Sequence, residues 1–213
     1  MKEKTHVVTK VVQGNAGTSV TLRAISGEGE AETYLIKRKT AKEMGIADGA
    51  ELTPADVKVI TDEAELGRAE ARTVRILSYS DHSEQALARK LISFGFGENI
   101  AARAAAVAVE NGLIKEDEQA ARCVDYFIRH KYWGKKRIAM ELVSRGYKRE
   151  AINEAIEATD PEVFIGTAAK LIEKKYPTPP SGGEERAKLI SSLSRMGYSI
   201  PEVTAAMRKV YEE

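Results

Sequence analysis

Leu91-Ile92-Ser93-Phe94-Gly95-Phe96 returns as Leu142-Val143-Ser144-Arg145-Gly146-Tyr147 and again as Leu193-Ser194-Arg195-Met196-Gly197-Tyr198. In each copy a leucine stands four residues before a glycine, and an aromatic residue follows the glycine directly. Successive copies lie 51 residues apart, and three matches in register mark an internal repeat. Around this motif, Leu87, Ile138 and Leu189 sit one helical turn before the leucines, while Ile100, Ile152 and Val203 follow the glycines as early apolar anchors. The glycine suits the left-handed position just past a helix end, and the aromatic beyond it can fold back onto the last turn. Further upstream, Leu77 and Ile128 correspond in the leading helix of the first two copies. Each copy therefore reads as a leading helix, a central helix ending at glycine, and a closing helix. A set this small buries little apolar surface alone, so neighbouring sets are expected to stack.

The expected fold is mainly α: three tandem three-helix modules forming an elongated curved body, over residues 66–115, 116–160 and 161–213. Val74 and Leu77, then Val124, Phe127 and Ile128, recur at three- and four-residue steps and mark apolar helix faces. Proline is absent from 55 to 160, which leaves glycine and turn residues to stop the helices. Pro177, Pro179, Pro180, Gly182 and Gly183 form a linker inside the last module.

Residues 1–65 read as a small β-rich region with short helices. Val7, Val8, Val11 and Val12 precede a Gly14-Asn15-Ala16-Gly17 turn, Val20, Leu22 and Ala24 alternate with Thr21 and Arg23, and Tyr34 and Ile36 share one face. The reading is three antiparallel strands, which need cover on one face to be stable. Thr40 to Met44 is one helical turn stopped by Gly45, and Thr53-Pro54 is a strong helix start. The region is rich in Asp and Glu and forms the acidic end of the chain.

Composition excludes more than it identifies. A single cysteine, Cys123, leaves no intramolecular disulfide and reads as core on an apolar helix. No apolar h-region follows the basic N-terminal residues, and no apolar run is long enough to span a bilayer, so a cytoplasmic location without membrane contact is expected. His6, His82 and His130 are scattered with no metal-ligand spacing; His82 belongs to the Asp81-His82-Ser83 start of a central helix, where Asp81 or Ser83 can cap. The glycine pairs of the N-terminal region are hairpin turns without the lysine of a phosphate loop. No catalytic residue, metal or cofactor is expected.

The stretches that carry a resemblance begin with Tyr79-Ser80-Asp81-His82-Ser83-Glu84-Gln85-Ala86-Leu87-Ala88-Arg89-Lys90-Leu91 and Gly95-Phe96. They continue with Glu110-Asn111-Gly112-Leu113-Ile114 before an acidic Lys115-Glu116-Asp117-Glu118, Tyr126-Phe127-Ile128-Arg129, and Trp133-Gly134-Lys135-Lys136-Arg137-Ile138. Glu141-Leu142 to Gly146-Tyr147 and Leu193 to Val210 complete them. Over about residues 66–211 the chain resembles the RecX family of bacterial recombinase regulators. It departs from the pattern in the alanine-rich closing helix of module 1, Ala101 to Ala108, and in a less regular leading helix of module 3. The resemblance implies a non-enzymatic protein, expected as a monomer, that lodges in the groove of the RecA–DNA filament. There it would limit filament growth, strand exchange, ATP hydrolysis and RecA-stimulated cleavage of the LexA repressor.

Charge is concentrated in module 2. Arg129, Lys131, Lys135, Lys136, Arg137, Arg145, Lys148 and Arg149 are opposed within that stretch only by Glu141, with Tyr132 and Trp133 among them. Such a patch fits an anionic partner, either an acidic protein groove or DNA phosphate contacted without sequence preference. Equally, the lysines can solvate a surface while Trp133 packs between modules. Arg89, Lys90 and Arg195 lie on the other central helices and are candidates to extend the basic face. The competing function is a stand-alone DNA-binding protein using its modules as helix-turn-helix units. The closing helices, Ala101-Ala102-Arg103-Ala104-Ala105 and Ala151-Ile152-Asn153-Glu154-Ala155, offer few base-reading side chains for it.

Overall fold

The structure, a computed structural model, describes residues 3–212. Near the N-terminus β1 (His6–Gly14), β2 (Gly17–Ala24), β3 (Glu32–Ile36) and β4 (Glu51–Leu52) form an antiparallel sheet in the order β3-β2-β1-β4. The fourth strand was not expected. It is two residues long, too short to show alternation, and is recruited by pairing with His6 and Val7. Strand β1 also breaks strict alternation: Val8 is buried and Val11 packs against the same core, although residues three apart should face opposite ways. A β-bulge between Val8 and Lys10 absorbs the extra residue and returns Val11 to the covered face.

That face is covered from the chain that follows. Val8, Val20, Leu22, Ile36 and Leu52 pack with Ala41 of α1 (Arg38–Glu43) and with Ile60 and Ala64 of α2 (Pro54–Leu77). Helix α2 starts as its sequence indicates: the Thr53 hydroxyl accepts the Asp56 N–H, and the Asp56 carboxylate accepts the Thr53 N–H. The helix then runs unbroken past residue 65 to Leu77. Val74, expected on its apolar stripe, is 57% exposed; the buried stripe passes instead through Ala69, Thr73 and Ile76.

Three sets of three helices follow the 51-residue frame. The first is α2, α3 (Glu84–Ser93) and α4 (Glu98–Glu110). The second is α5 (Glu116–Tyr126), α6 (Lys135–Ser144) and α7 (Arg149–Glu157), and the third is α8 (Pro161–Lys175), α9 (Gly183–Arg195) and α10 (Ile200–Tyr211). In each, the closing helix packs on the leading one: α4 on α2, α7 on α5, α10 on α8. The central helices end identically. Gly95, Gly146 and Gly197 have φ of +91°, +83° and +96°. The N–H groups of Phe96, Tyr147 and Tyr198 return to the carbonyls of Leu91, Leu142 and Leu193, and the glycine N–H groups to those of Ile92, Val143 and Ser194. This double closure satisfies carbonyls that the helix end would leave open.

The chain divides into two compact units, Met1–Ser80 with Leu87–Asn111, and Asp81–Ala86 with Gly112–Glu213. The second unit has one continuous core that includes Val124, Phe127, Ile138, Leu142, Phe164, Ile172, Leu189 and Leu193. Cys123 is half-buried at its edge. Helix α5 is prolonged by a π-helical turn, Phe127–Lys131, and ends at Tyr132, a non-glycine residue at φ +55°. That conformation costs about 1–2 kcal/mol for a residue with a Cβ. It is held by the Trp133 N–H on the Phe127 carbonyl and by the Tyr198 hydroxyl, which donates to the Tyr132 carbonyl at 3.1 Å.

Candidate binding surface

The basic residues of the second unit are positioned by two joints between central helices. In the first, the start of α3 meets the end of α6. Ser83 accepts the Ala86 N–H at 3.1 Å, capping α3, and donates to the Arg145 carbonyl at 2.8 Å. Ser83, and not Asp81, is therefore the cap; Asp81 pairs with Arg122 at 2.7 Å, which raises the guanidinium's pKa. Glu116 binds the Glu84 and Lys148 N–H groups through its two oxygens, and the Lys148 ammonium reaches Glu84 at 2.8 Å. Hydrogen bonding to Glu84 raises the Lys148 pKa.

The second joint occupies the same positions one repeat later. The N–H groups of Gly134 and Lys136, at the start of α6, donate to the carbonyls of Met196 and Gly197 at the end of α9. The positive end of one helix dipole thus meets the negative end of another. Two glycines permit the approach: a Cβ on Gly134 would lie 2.5 Å from the Gly197 carbonyl carbon, and one on Gly197 would lie 2.4 Å from the Arg137 nitrogen. Buried beneath the joints, Tyr147 and Tyr198 have phenol pKa values pushed well above their ordinary range. Burial is the main cause for both, with Cys123 adding to it at Tyr147 and Glu202 at Tyr198.

This framework sorts the expected site residues. Lys135 is half-buried, 3.4 Å from Glu202 and over the Phe164 ring. Arg137 lies over the Trp133 ring and donates to the Arg195 carbonyl, so its charge rests on the C-terminus of α9. Arg145 pairs with Glu141 at 2.8 Å and Lys148 with Glu84. Arg129, from the same stretch, pairs with Asp125 at 2.6 Å. Charge that sequence order leaves opposed only by Glu141 is thus also met by Asp125, Glu84 and Glu202. Lys131, Lys136 and Arg149 are exposed and have no ion-pair partner among the described residues. Arg195 is exposed on α9, whereas Lys188 is tied to Glu184. Arg89 and Lys90 are exposed on the part of α3 that belongs to the first unit. Trp133 is half-buried and stacked on Phe127, ring centroids 4.7 Å apart. Among the described residues no group of three or more His, Cys, Asp or Glu could hold a metal, and no helix is long and apolar enough to cross a membrane.

No protein-family model matches the chain. Known proteins do. The regulatory protein RecX of Escherichia coli (strain SE11) is 32% identical over 143 residues, which cover 62% of this chain and 85% of that protein. The chain belongs to the RecX family. The regulatory protein RecX of Clostridioides difficile (strain 630) is 27% identical over 76% of this chain and 77% of its own. The fold agrees: a crystal structure of a regulatory protein RecX superposes with a TM-score of 0.69 at 18% identity, over 98% of this chain and all of that one. RecX from Lactobacillus salivarius gives 0.63 at 16% identity, over 70% of this chain and 98% of its own.

Within this RecX-family fold, Ser83 is the side chain whose loss tests the first joint. Ser83→Ala removes a helix cap and leaves the Arg145 carbonyl without its donor at a position 1% exposed. The expected destabilisation is about 2 kcal/mol, read from urea unfolding. A loss below about 0.5 kcal/mol would show that the hydroxyl is not holding the joint.

Proposed function

We propose that this chain is a regulator that binds the RecA–DNA filament and restrains its recombinase, ATPase and coprotease activities. The observation that carries this reading is membership of a family whose curated members are named regulatory proteins. The uncompensated cations of the second unit support it. Lys131, Lys136 and Arg149 are the charges free to meet an anionic partner, while Lys135, Arg137 and Lys148 serve first to hold the joints and Arg145 is paired with Glu141 on its own helix. Arg89, Lys90 and Arg195 offer further cations to the same partner. Binding rests on protein contact supplemented by phosphate contact without base reading, because the inner faces of the closing helices are spent on packing. In α4, Ala101, Ala104, Ala105 and Ala108 are all buried.

The test is RecA-dependent ATP hydrolysis on single-stranded DNA. The chain is expected to slow it when substoichiometric to RecA, and to bind RecA-coated strand more tightly than bare strand. Unchanged hydrolysis at equimolar protein and low salt would overturn the proposal. Tighter binding to bare DNA would favour a stand-alone DNA-binding protein.

A further inference from the structure

The joint has a third position, and there it is empty. At the ends of α6 and α9 the carbonyls of Arg145 and Met196 receive Ser83 and Gly134, and the following Tyr147 and Tyr198 are buried to 8% and 1% exposure. The matching residues at the end of α3 are Phe94, Gly95 and Phe96. Among the described residues no central helix precedes α3 to cover them. Among the described residues no donor reaches the Phe94 carbonyl, a Cβ on Gly95 would meet nothing within 4 Å, and Phe94 remains 46% exposed. Phe96, the counterpart of the buried Tyr147 and Tyr198, is only half-buried, and beside it Phe94 puts an exposed ring where the other copies carry Arg145 and Met196.

It lines a cleft of about 410 Å³ whose other wall is α2, through Arg68, Ala71, Arg72 and Arg75. The three arginines form one row along that helix. Arg68 and Arg75 are exposed, and Arg72 lies over the Phe94 ring at 3.8 Å from its centroid. None of the three has an ion-pair partner among the described residues. Two carboxylates on the same helix are engaged elsewhere: Glu65 accepts the Gly97 N–H, and Glu70 faces Lys37 at 3.5 Å.

We infer that this cleft is a binding site for single-stranded nucleic acid, with a base against Phe94 and Phe96 and the backbone phosphates along Arg68, Arg72 and Arg75. An exposed and a half-buried aromatic ring beside guanidiniums that have no ion-pair partner among the described residues are what a single strand requires, since each nucleotide brings a π face and a negative charge. A duplex keeps its base faces stacked inside, and an acidic peptide brings charge without a base to stack. The row from Arg68 to Arg75 spans about 10 Å of helix at 1.5 Å per residue, longer than one phosphate group, which favours a strand over a single nucleotide. The site lies wholly in the first unit and its existence does not depend on RecA.

Anisotropy of a labelled oligothymidine mixed with the full chain, with no recombinase present, tests it. The Arg68→Gln, Arg72→Gln, Arg75→Gln variant is expected to bind at least tenfold more weakly at low salt. Its plot of log affinity against log salt should be shallower by about 2, since each phosphate contact on a single strand contributes about 0.7. Phe94→Ala should weaken binding about tenfold while leaving that slope unchanged, a split that general unfolding would not produce. Thermal melting of both variants checks that they are folded. An unchanged affinity and slope in the folded triple variant would overturn the inference. So would competition by polyglutamate or duplex DNA as effective as that by unlabelled oligothymidine, or equal affinity for ATP alone. RecA ATPase inhibition is a separate readout, so failure here and failure of the filament proposal are distinguishable.

Discussion

Replacing Gly197 by alanine is expected to lower the melting temperature of the protein by roughly 8–16 °C. Two penalties coincide there. At φ +96° a Cβ is strained by about 1–2 kcal/mol, and that Cβ would lie 2.4 Å from the Arg137 nitrogen and 2.6 Å from the Arg137 Cβ. Neither atom belongs to the free end of a flexible side chain, so relief requires the second joint to open, at a further cost of about 1–3 kcal/mol. A total of about 4 kcal/mol at 2–4 °C per kcal/mol gives the stated range. Two companion variants separate the terms. Gly95→Ala carries a similar φ of +91° in open space and should show the backbone term alone, about 1–2 kcal/mol. Gly134→Ala has ordinary backbone angles, and its Cβ would press on the Gly197 carbonyl carbon at 2.5 Å, so it should show the contact term alone. Equal losses at Gly95 and Gly197 would mean that the close crossing contributes nothing.

A charge reversal at the uncompensated cations should have the largest effect on binding. Lys131→Glu, Lys136→Glu, Arg149→Glu is expected to weaken association with the RecA filament by well over tenfold, because attraction becomes repulsion at each position. Among the described residues none of these three has an ion-pair partner to lose, so the melting temperature should stay within about 2 °C of the parent. The run Lys135, Lys136 and Arg137, which stands out in the sequence, makes a less clean experiment. Its reversal sets a glutamate against Glu202 and withdraws the guanidinium from Trp133 and the Arg195 carbonyl. Binding and stability would then fall together. Normal filament binding by the folded Lys131, Lys136 and Arg149 variant would move the contact to another surface.

Local features are the ones this sequence carries openly. Leu87, Leu91 and their counterparts, the glycine ends and the Thr53 cap are local, set by spacing within one or two turns, and all are where that spacing places them. Strand β4 leaves no mark in the sequence because two residues have no period, and the bulge in β1 leaves none because it exists only relative to a partner strand. Charge pairing is not local. That Lys135 meets Glu202, Lys148 meets Glu84 and Arg137 meets the end of α9 depends on which helix ends touch, and composition cannot show it. Arg68, Arg72 and Arg75 are hidden for the opposite reason: on one helix they look like a solvated face. The available clue was the frame itself, which aligns Phe94 with Arg145 and Met196, two residues whose carbonyls are covered.

At the first joint Glu84 faces Lys148; at the second, the matching position is Lys135 and it faces Glu202. The signs are exchanged, yet the helix ends meet alike, through a serine hydroxyl in one place and a backbone amide in the other. Contacts built on helix ends tolerate drift in the side chains around them, provided that acid and base change together. A lineage of such proteins can therefore redistribute its surface charge, and with it its choice of partners, without inventing a new way to join its parts.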